Sequence, residues 1–206
     1  MHDIEVWNLP IGTLEYIDEI HTYIFNGQIL PSITQILKVK FGNKYVGVSE
    51  EVLKRASELG TKMHQNIQDY EELTIDDAEN IELRNYKFLK KHYKWEVEKC
   101  EVPIVLIIDG KPIGAGRLDL LVRKDDKLGI LDLKRTSVFD KEYVACQTNL
   151  YRLGFQSTYG REIELIGGIH LRENKRKYYE LPINEEVAMA LLEEYLESRE
   201  LWQKNY

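Results

Sequence analysis

Gly114-Ala115-Gly116-Arg117-Leu118-Asp119-Leu120-Leu121 and, shortly after it, Ile130-Leu131-Asp132-Leu133-Lys134 decide how this chain is read. Both are apolar, strand-like runs broken by ionisable residues. The two glycines ahead of Asp119 leave room for another backbone or a ligand to come close. With a strand period of two, Asp132 and Lys134 project from one face, while Leu131 and Leu133 project from the other into a core. A carboxylate and an ammonium thus share a face, next to a second carboxylate from the neighbouring strand. Metal-assisted phosphodiester hydrolysis requires this combination: hard oxygen ligands for Mg²⁺ or Mn²⁺, and a cation near the attacking water and the charge developing on phosphorus. Taken alone, the same residues are more economically explained as a salt bridge inside a sheet.

Working outward, Glu101 to Ile108, Ile113 to Val122 and Leu128 to Lys134 read as three consecutive antiparallel strands, with Asp109-Gly110 as a hairpin signal and Arg123 to Lys127 as a polar turn. A helix follows from about Asp140 to Tyr159, stopped by Gly160, then strands at Ile163 to Leu171 and Lys177 to Leu181. Asn184 caps a last amphipathic helix through Leu191, Leu192, Tyr195, Leu196 and Trp202. Upstream, Leu14 to Ile17, Tyr23 to Phe25 and Gln28 to Leu30 read as short strands turning at Asn26-Gly27. Ser32 caps a short helix closed by Gly42 and Asn43. A second helix from Ser49 carries a core-facing stripe of Val52, Ala56, Leu59, Met63, Ile67 and Tyr70. A third, from about Asp76 to Trp95, turns Ile81, Leu83, Tyr86, Leu89 and Tyr93 inward. No internal repeat, low-complexity tract or linker interrupts the 206 residues, so a single α/β domain over 1–206 is expected, with an N-terminal hairpin and helical elaboration to about residue 95 and a C-terminal helix over about 184–204.

Composition narrows the classes. Hydrophobic residues at 43% and charged residues at 31% suit a globular chain, and no apolar run is long enough to span a membrane. MHDIEVWNLP lacks a basic n-region and an apolar h-region, which points to the cytoplasm. Two cysteines, Cys100 and Cys146, are too few for a disulfide scaffold or a four-thiolate cluster. The net charge of −7 argues against a nonspecific nucleic-acid coat, yet residues 84 to 177 carry 20 basic and 13 acidic side chains, a local excess of seven positive charges.

Further residues change the weighting of the ion pair. On the helix after Lys134, Gln147 and Tyr151 stand four apart on one face, and on the acidic second helix His64 follows the core-facing Met63 and lies four after Gly60. Gly-Thr-x-x-His (Gly60, Thr61, His64), Gly-x-x-Asp (Gly116, Asp119), Asp-x-Lys (Asp132, Lys134) and Gln-x-x-x-Tyr (Gln147, Tyr151), in that order, resemble the RecB-like branch of the PD-(D/E)XK nuclease superfamily. Leu30-Pro31-Ser32-Ile33-Thr34-Gln35-Ile36-Leu37 is similar to an N-terminal motif of phage and prophage nucleases in this branch. The resemblance runs from about residue 28 to residue 155.

The resemblance implies a restriction-endonuclease-like core, a mixed central sheet flanked by helices, and hydrolysis of DNA phosphodiester bonds, with an exonuclease of phage-type recombination or repair as the leading form. Asp119 and Asp132 would ligate the metal with the backbone carbonyl of Leu133, His64 would be a further ligand, and Glu101 an accessory acid for which Glu98 is a rival. Lys134 would position the nucleophilic water, and Gln147 and Tyr151 would orient the nucleic-acid backbone. Arg117, Arg135, Thr136, Arg152, Arg172, Lys175, Arg176 and Lys177 are candidate nucleic-acid contacts, and Tyr178-Tyr179 could stack on unpaired bases. DNA is the expected partner, with a phage recombination or single-strand-binding protein and further copies of the chain behind it. Two cysteines cannot hold an iron-sulfur cluster and no Gly-x-x-x-x-Gly-Lys-Ser/Thr loop binds a nucleotide. The alternative class is a noncatalytic DNA-binding or assembly module that keeps the fold.

Overall fold

The computed structural model describes residues 4–42 and 47–205, with side chains up to residue 199. Asn43 and the side chain of Trp202, both assigned structural roles above, lie outside the described residues. The chain opens with a four-stranded antiparallel meander, β1 (Ile4–Leu9), β2 (Gly12–Ile17), β3 (Thr22–Phe25) and β4 (Gln28–Leu30), paired in chain order. Asn26 and Gly27 both take positive φ, 48° and 82°, as a two-residue hairpin turn of this hand requires. β1 was not expected from the sequence. It is an edge strand whose Ile4 and Val6 remain exposed, so it lacks the alternation that betrays a half-buried strand.

Helices α1 (Ile33–Phe41), α2 (Glu50–Leu73) and α3 (Ile81–Tyr93) follow. α1 starts on a complete capping box, in which the Ser32 side chain accepts the Gln35 N–H and the Gln35 side chain accepts the Ser32 N–H. The central five-stranded sheet comprises β5 (Glu96–Ile108), β6 (Lys111–Lys124), β7 (Lys127–Lys134), β8 (Leu165–Arg172) and β9 (Lys175–Leu181), in that spatial order. α4 (Lys141–Tyr159) crosses from β7 to β8, which makes their pairing parallel while every other pairing is antiparallel. The sheet is therefore mixed, and α5 (Glu185–Asn205) ends the chain.

Both faces of this sheet are covered. Ile104, Leu118, Leu121 and Ile130 pack with α1, α4 and α5 through Ile33, Ile36, Leu150 and Leu191, while Leu120, Leu131, Leu133 and Ile169 pack with α2 and α3 through Met63, Ile67, Leu83 and Tyr86. The architecture is α/β, as the alternation of patterns indicated. The meander joins it through Leu14, Tyr23 and Phe25, which pack on Val105 and Ala115, and through Ala115 N–H donating to Pro31 O. The close approach expected at the two glycines of β6 is made by protein: a Cβ on Gly114 would meet Ile36 and Pro31 O, and one on Gly116 would meet Tyr151 and Ile33. No helix among the described residues is long and apolar enough to cross a membrane.

Three expectations are corrected. On α2, Val52, Ala56 and Leu59 are exposed rather than core-facing, because the first turns of the helix extend past the sheet; its core contacts begin at Met63 and continue through Ile67 and the partly buried Tyr70. The third helix starts at Ile81, not Asp76; Asn80 caps it by accepting the Leu83 N–H, which leaves Ile81 exposed. β5 starts at Glu96, five residues earlier than read, so Glu101 lies inside a strand rather than at its start.

Gly60 sits in the interior of α2 with open space where a Cβ would stand. Gly60→Ala should therefore stabilise the protein by about 0.5–1 kcal/mol through lost unfolded-state entropy, a rise in Tm of about 1–4 °C for a chain of this size. Thermal unfolding followed by circular dichroism reads this, and a fall in Tm would show that the helix needs the glycine.

Candidate active site

The ladder between β6 and β7 runs from Lys124↔Lys127 to Leu120↔Leu131 and stops there. One residue further along each strand stand Asp119 and Asp132, at the mouth of the fork. Asp119 Oδ2 accepts the Leu133 N–H at 2.6 Å, taking over a position that a strand carbonyl would have filled. The Leu133 carbonyl is met from the other side by His64 Nε2 at 3.2 Å. α2 brings His64 there because Met63 and Ile67, on either side of it in sequence, are buried against the sheet.

His64 Nδ1 lies 3.6 Å from Asp119 Oδ1 and 3.7 Å from Glu101 Oε1. Glu101 sits between the pairs Cys100↔Leu120 and Val102↔Leu118, hence across from Asp119, and its φ of 47° is left-handed. That conformation is uncommon for a residue with a long side chain and clusters at functional sites. Ligand atoms of His64, Glu101 and Asp119 all fall within 4.8 Å of one another.

Asp132 and Lys134 share the face opposite Leu131 and Leu133, as the strand period requires. Asp132 is 1% exposed. Lys134 Nζ pairs with its Oδ2 at 2.5 Å, while Oδ1 of this buried carboxylate has no hydrogen-bond partner. A buried acceptor left in this state is costly unless another ligand engages it. The carboxylates and the backbone carbonyl are hard oxygen donors and the imidazole adds a softer nitrogen, a set that could hold a divalent cation, and the unpartnered Oδ1 of Asp132 is where such an ion would relieve a penalty. The residues present fit the group.

Electrostatics agree. Burial pushes Asp132 up to about 6 despite the attraction of Lys134, with the nearby Asp119 raising it further. Asp119 is likewise raised by burial, against the pull of His64 and Lys134. Burial lowers His64, but the Asp119 and Glu101 carboxylates outweigh it and carry the imidazole up to about 9. Burial also opposes the charge on Lys134, yet Asp132 and Asp119 hold its ammonium above the ordinary range.

On α4, Gln147 and Tyr151 face the sheet and are buried, with Gln147 Nε2 donating to the Tyr151 hydroxyl at 3.4 Å. Gln147 lines a cavity of about 220 Å³ with Thr34, Lys134, Thr136, Asp140, Tyr143 and Val144. Tyr151 lies behind it, against Gly116. Thr34, Asp140 and Tyr143 were missed as site residues. Tyr143 was findable, because it precedes Gln147 by four on one helix face.

The expected phosphate contacts divide. Arg117 is engaged by Glu5 at 2.9 Å and Glu101 at 3.6 Å and lies over the rings of Trp7 and Tyr16. Arg135 is paired with Glu82 at 2.5 Å, and Arg152 with Ile163 O and Glu185. All three are ion-paired in the described arrangement. The Thr136 hydroxyl donates to Val138 O and its carbonyl meets His170 Nε2. Lys177 packs over Tyr179, Arg176 packs over Phe88, and Lys175 and Arg172 flank the β8–β9 turn. Tyr178 is buried under α3, so it cannot offer a free ring face. Glu98, the rival of Glu101, is occupied by Arg123 and Arg161 away from the fork.

A pH dependence follows. The Asp132 value is raised on folding, so its cost is absent below about pH 4 and accumulates as pH rises through about 6; the His64 value is also raised, so its ion pairs stabilise below pH 6.5 and are lost as pH rises through about 9. Protons thus compete with a cation at both residues. In a thermal-shift titration, Mg²⁺ or Mn²⁺ should raise Tm more at pH 8.5 than at pH 6.0, and Asp119→Ala should remove the difference. Equal shifts at both pH values would count against these groups as ligands.

No family model matches the chain, and no curated protein matches it. Among solved structures, the crystal structure of SSO0001 is similar at a TM-score of 0.46 and 16% identity, over 80% of this chain and 74% of that one.

Proposed function

We propose that this chain is a divalent-metal-dependent deoxyribonuclease with a restriction-endonuclease-like core, of the RecB-like branch of the PD-(D/E)XK superfamily, and an exonuclease in phage-type recombination or repair. The observation that carries the reading is the fork itself, where His64, Glu101, Asp119 and the Leu133 carbonyl converge and the buried Asp132–Lys134 pair flanks them on β7. Residues separated by up to 69 positions in sequence meet there, and a plain ion pair inside a sheet needs only two of them.

Bound Mg²⁺ or Mn²⁺ would supply a Lewis acid that acidifies a water and offsets charge on the phosphoryl oxygens. Asp119 and Asp132, with Leu133 O, are its oxygen ligands in this reading, and His64 and Glu101 complete the set. Asp119 has a second duty, since its Oδ2 also fixes the Leu133 peptide and so the direction of that carbonyl. Lys134 keeps its proton because Asp132 and Asp119 stabilise the ammonium. A protonated Lys134 orients the attacking water and stabilises the extra negative charge of the pentacovalent phosphorus. Gln147 presents its amide at the cavity wall next to Lys134, where a nucleotide next to the scissile bond can be held. Tyr151 sets the Gln147 rotamer from behind.

Metal-stripped protein with Mg²⁺ or Mn²⁺ added back should degrade linear duplex and spare covalently closed circles. Lys134→Ala should lower the cleavage rate by about 10²–10³-fold or more, the scale for removing one transition-state donor, with an unchanged fold by circular dichroism. Asp119→Ala and Asp132→Ala should lose metal binding as well. Undiminished cleavage by folded Lys134→Ala would overturn the mechanism; DNA retention without cleavage under any metal would favour a noncatalytic binding module.

A further inference from the structure

α3 leaves the candidate site carrying a second set of residues that the chemistry does not use. Arg84, Phe88, Lys91 and His92 are spaced four, three and one apart, so they share one face of the helix, and all four are exposed. Phe88 is 47% exposed. Its ring is stacked with His92, 5.9 Å between centroids at an interplanar angle of 6°, and Arg176 of β9 lies over it at 3.8 Å. His92 is held in turn by an edge contact with Tyr93 at 4.8 Å.

The cations around these rings are available. On the same helix Lys87 is paired with Asp76 and Lys90 with Glu71, whereas Arg84, Lys91 and Arg176 have no acidic partner among the described residues. Sorting of this kind, with paired lysines on one side of the helix and unpaired cations around an exposed aromatic pair on the other, is complementary to a polyanion that also presents flat rings.

Position links the strip to the fork. Arg135, next to Lys134, is paired with Glu82 in the first turn of α3, and one turn on Asn85 Nδ2 donates to Arg172 O at 3.0 Å. From Glu82 to Phe88 is six residues, about 9 Å along the helix. In the sheet, Lys134 is level with His170 and Arg176 with Leu171, so Arg176 stands two strands away, about 10 Å, at the same end of the sheet; its side chain lies on the α2/α3 face, from which His64 reaches the fork, opposite the face that carries Lys134.

We propose that Arg84, Phe88, Lys91, His92 and Arg176 form a platform for the unpaired strand of a nucleic acid engaged at the fork. Phe88 and His92 stack on bases once Arg176 exchanges the Phe88 ring for a phosphate, and Arg84 and Lys91 contact the neighbouring phosphates. A duplex is the poorer occupant, because its bases already cover one another's faces. The proposal rests on the nuclease reading for its substrate class but not for its test.

The test is binding of fluorescein-labelled oligothymidylate, 15 nucleotides long, to the full chain in EDTA, followed by anisotropy. Phe88→Ala should weaken binding about tenfold, within the usual range for loss of one stacked base, and should leave Tm unchanged because the ring is half-exposed. Phe88→Trp should retain binding, with indole fluorescence quenched on adding oligonucleotide. Arg84→Ala combined with Lys91→Ala should flatten the log–log salt dependence by about 1.4, the single-strand value for two contacts. A Phe88→Ala dissociation constant within twofold of the parent, no binding by the parent, or an equal loss on a blunt hairpin duplex would each overturn the platform. If the parent cleaves DNA with Mg²⁺ and Phe88→Ala binds normally, the platform is wrong and the nuclease reading stands. If no metal supports cleavage and Phe88→Ala still loses the oligonucleotide, the platform stands and the nuclease reading falls.

Discussion

The peptide group of Leu133 is the constraint on which the rest of the site depends. At the fork neither its N–H nor its C=O is matched to β6, and a buried peptide cannot be left unmatched without a cost of about 1–3 kcal/mol per group. Asp119 takes the N–H and His64 meets the carbonyl. With α2 seated by Met63 and Ile67, those two contacts tie β6 to β7 beyond the end of their ladder and set which way a carboxylate and an imidazole point. The groups that satisfy the backbone are therefore the same groups that a cation would use, so structure and chemistry are selected together at this point.

Around that peptide the protein concentrates acids. Glu101, Asp119 and Asp132 come from three adjacent strands at one level, and two of them are buried enough to resist ionising. Lys134 and His64 offset part of the charge, and Arg117 offsets more from behind Glu101. The Arg117 guanidinium is itself clasped by Glu5 of β1 and the rings of Trp7 and Tyr16. The N-terminal meander thereby reaches the site by holding the arginine that pairs with the Glu101 carboxylate.

Much of this was legible in the sequence, for a physical reason. A strand places alternate residues on alternate faces, so Asp132 and Lys134 had to share one once β7 was recognised, and the spacing of four on α4 paired Gln147 with Tyr151 in the same way. Pro, Gly and Asn signals marked most boundaries in the right places. What escaped was long-range. Periodicity on α2 reported apolar residues without reporting that its first half extends past the sheet, leaving Val52 and Leu59 exposed. β1 carried no alternation because an edge strand buries little. The acids that capture Arg117, Arg135 and Arg152 are 112, 53 and 33 residues away, and sequence spacing says nothing about such partners.

The distance along the chain between His64 and Leu133 has a consequence for when the site exists. Closing a loop of 69 residues is an entropic expense that only a largely folded chain recovers, and β7 acquires its parallel neighbour only after α4 and β8 have been synthesised. On a ribosome, the motif residues emerge in order, but Asp132 and Lys134 remain on an open strand edge until the chain has been made to about residue 172 and that stretch has cleared the exit tunnel. A nascent or truncated chain thus contains every one of the residues without their arrangement. Whatever reaction the fork performs waits, on this account, for the parallel pairing of β7 with β8.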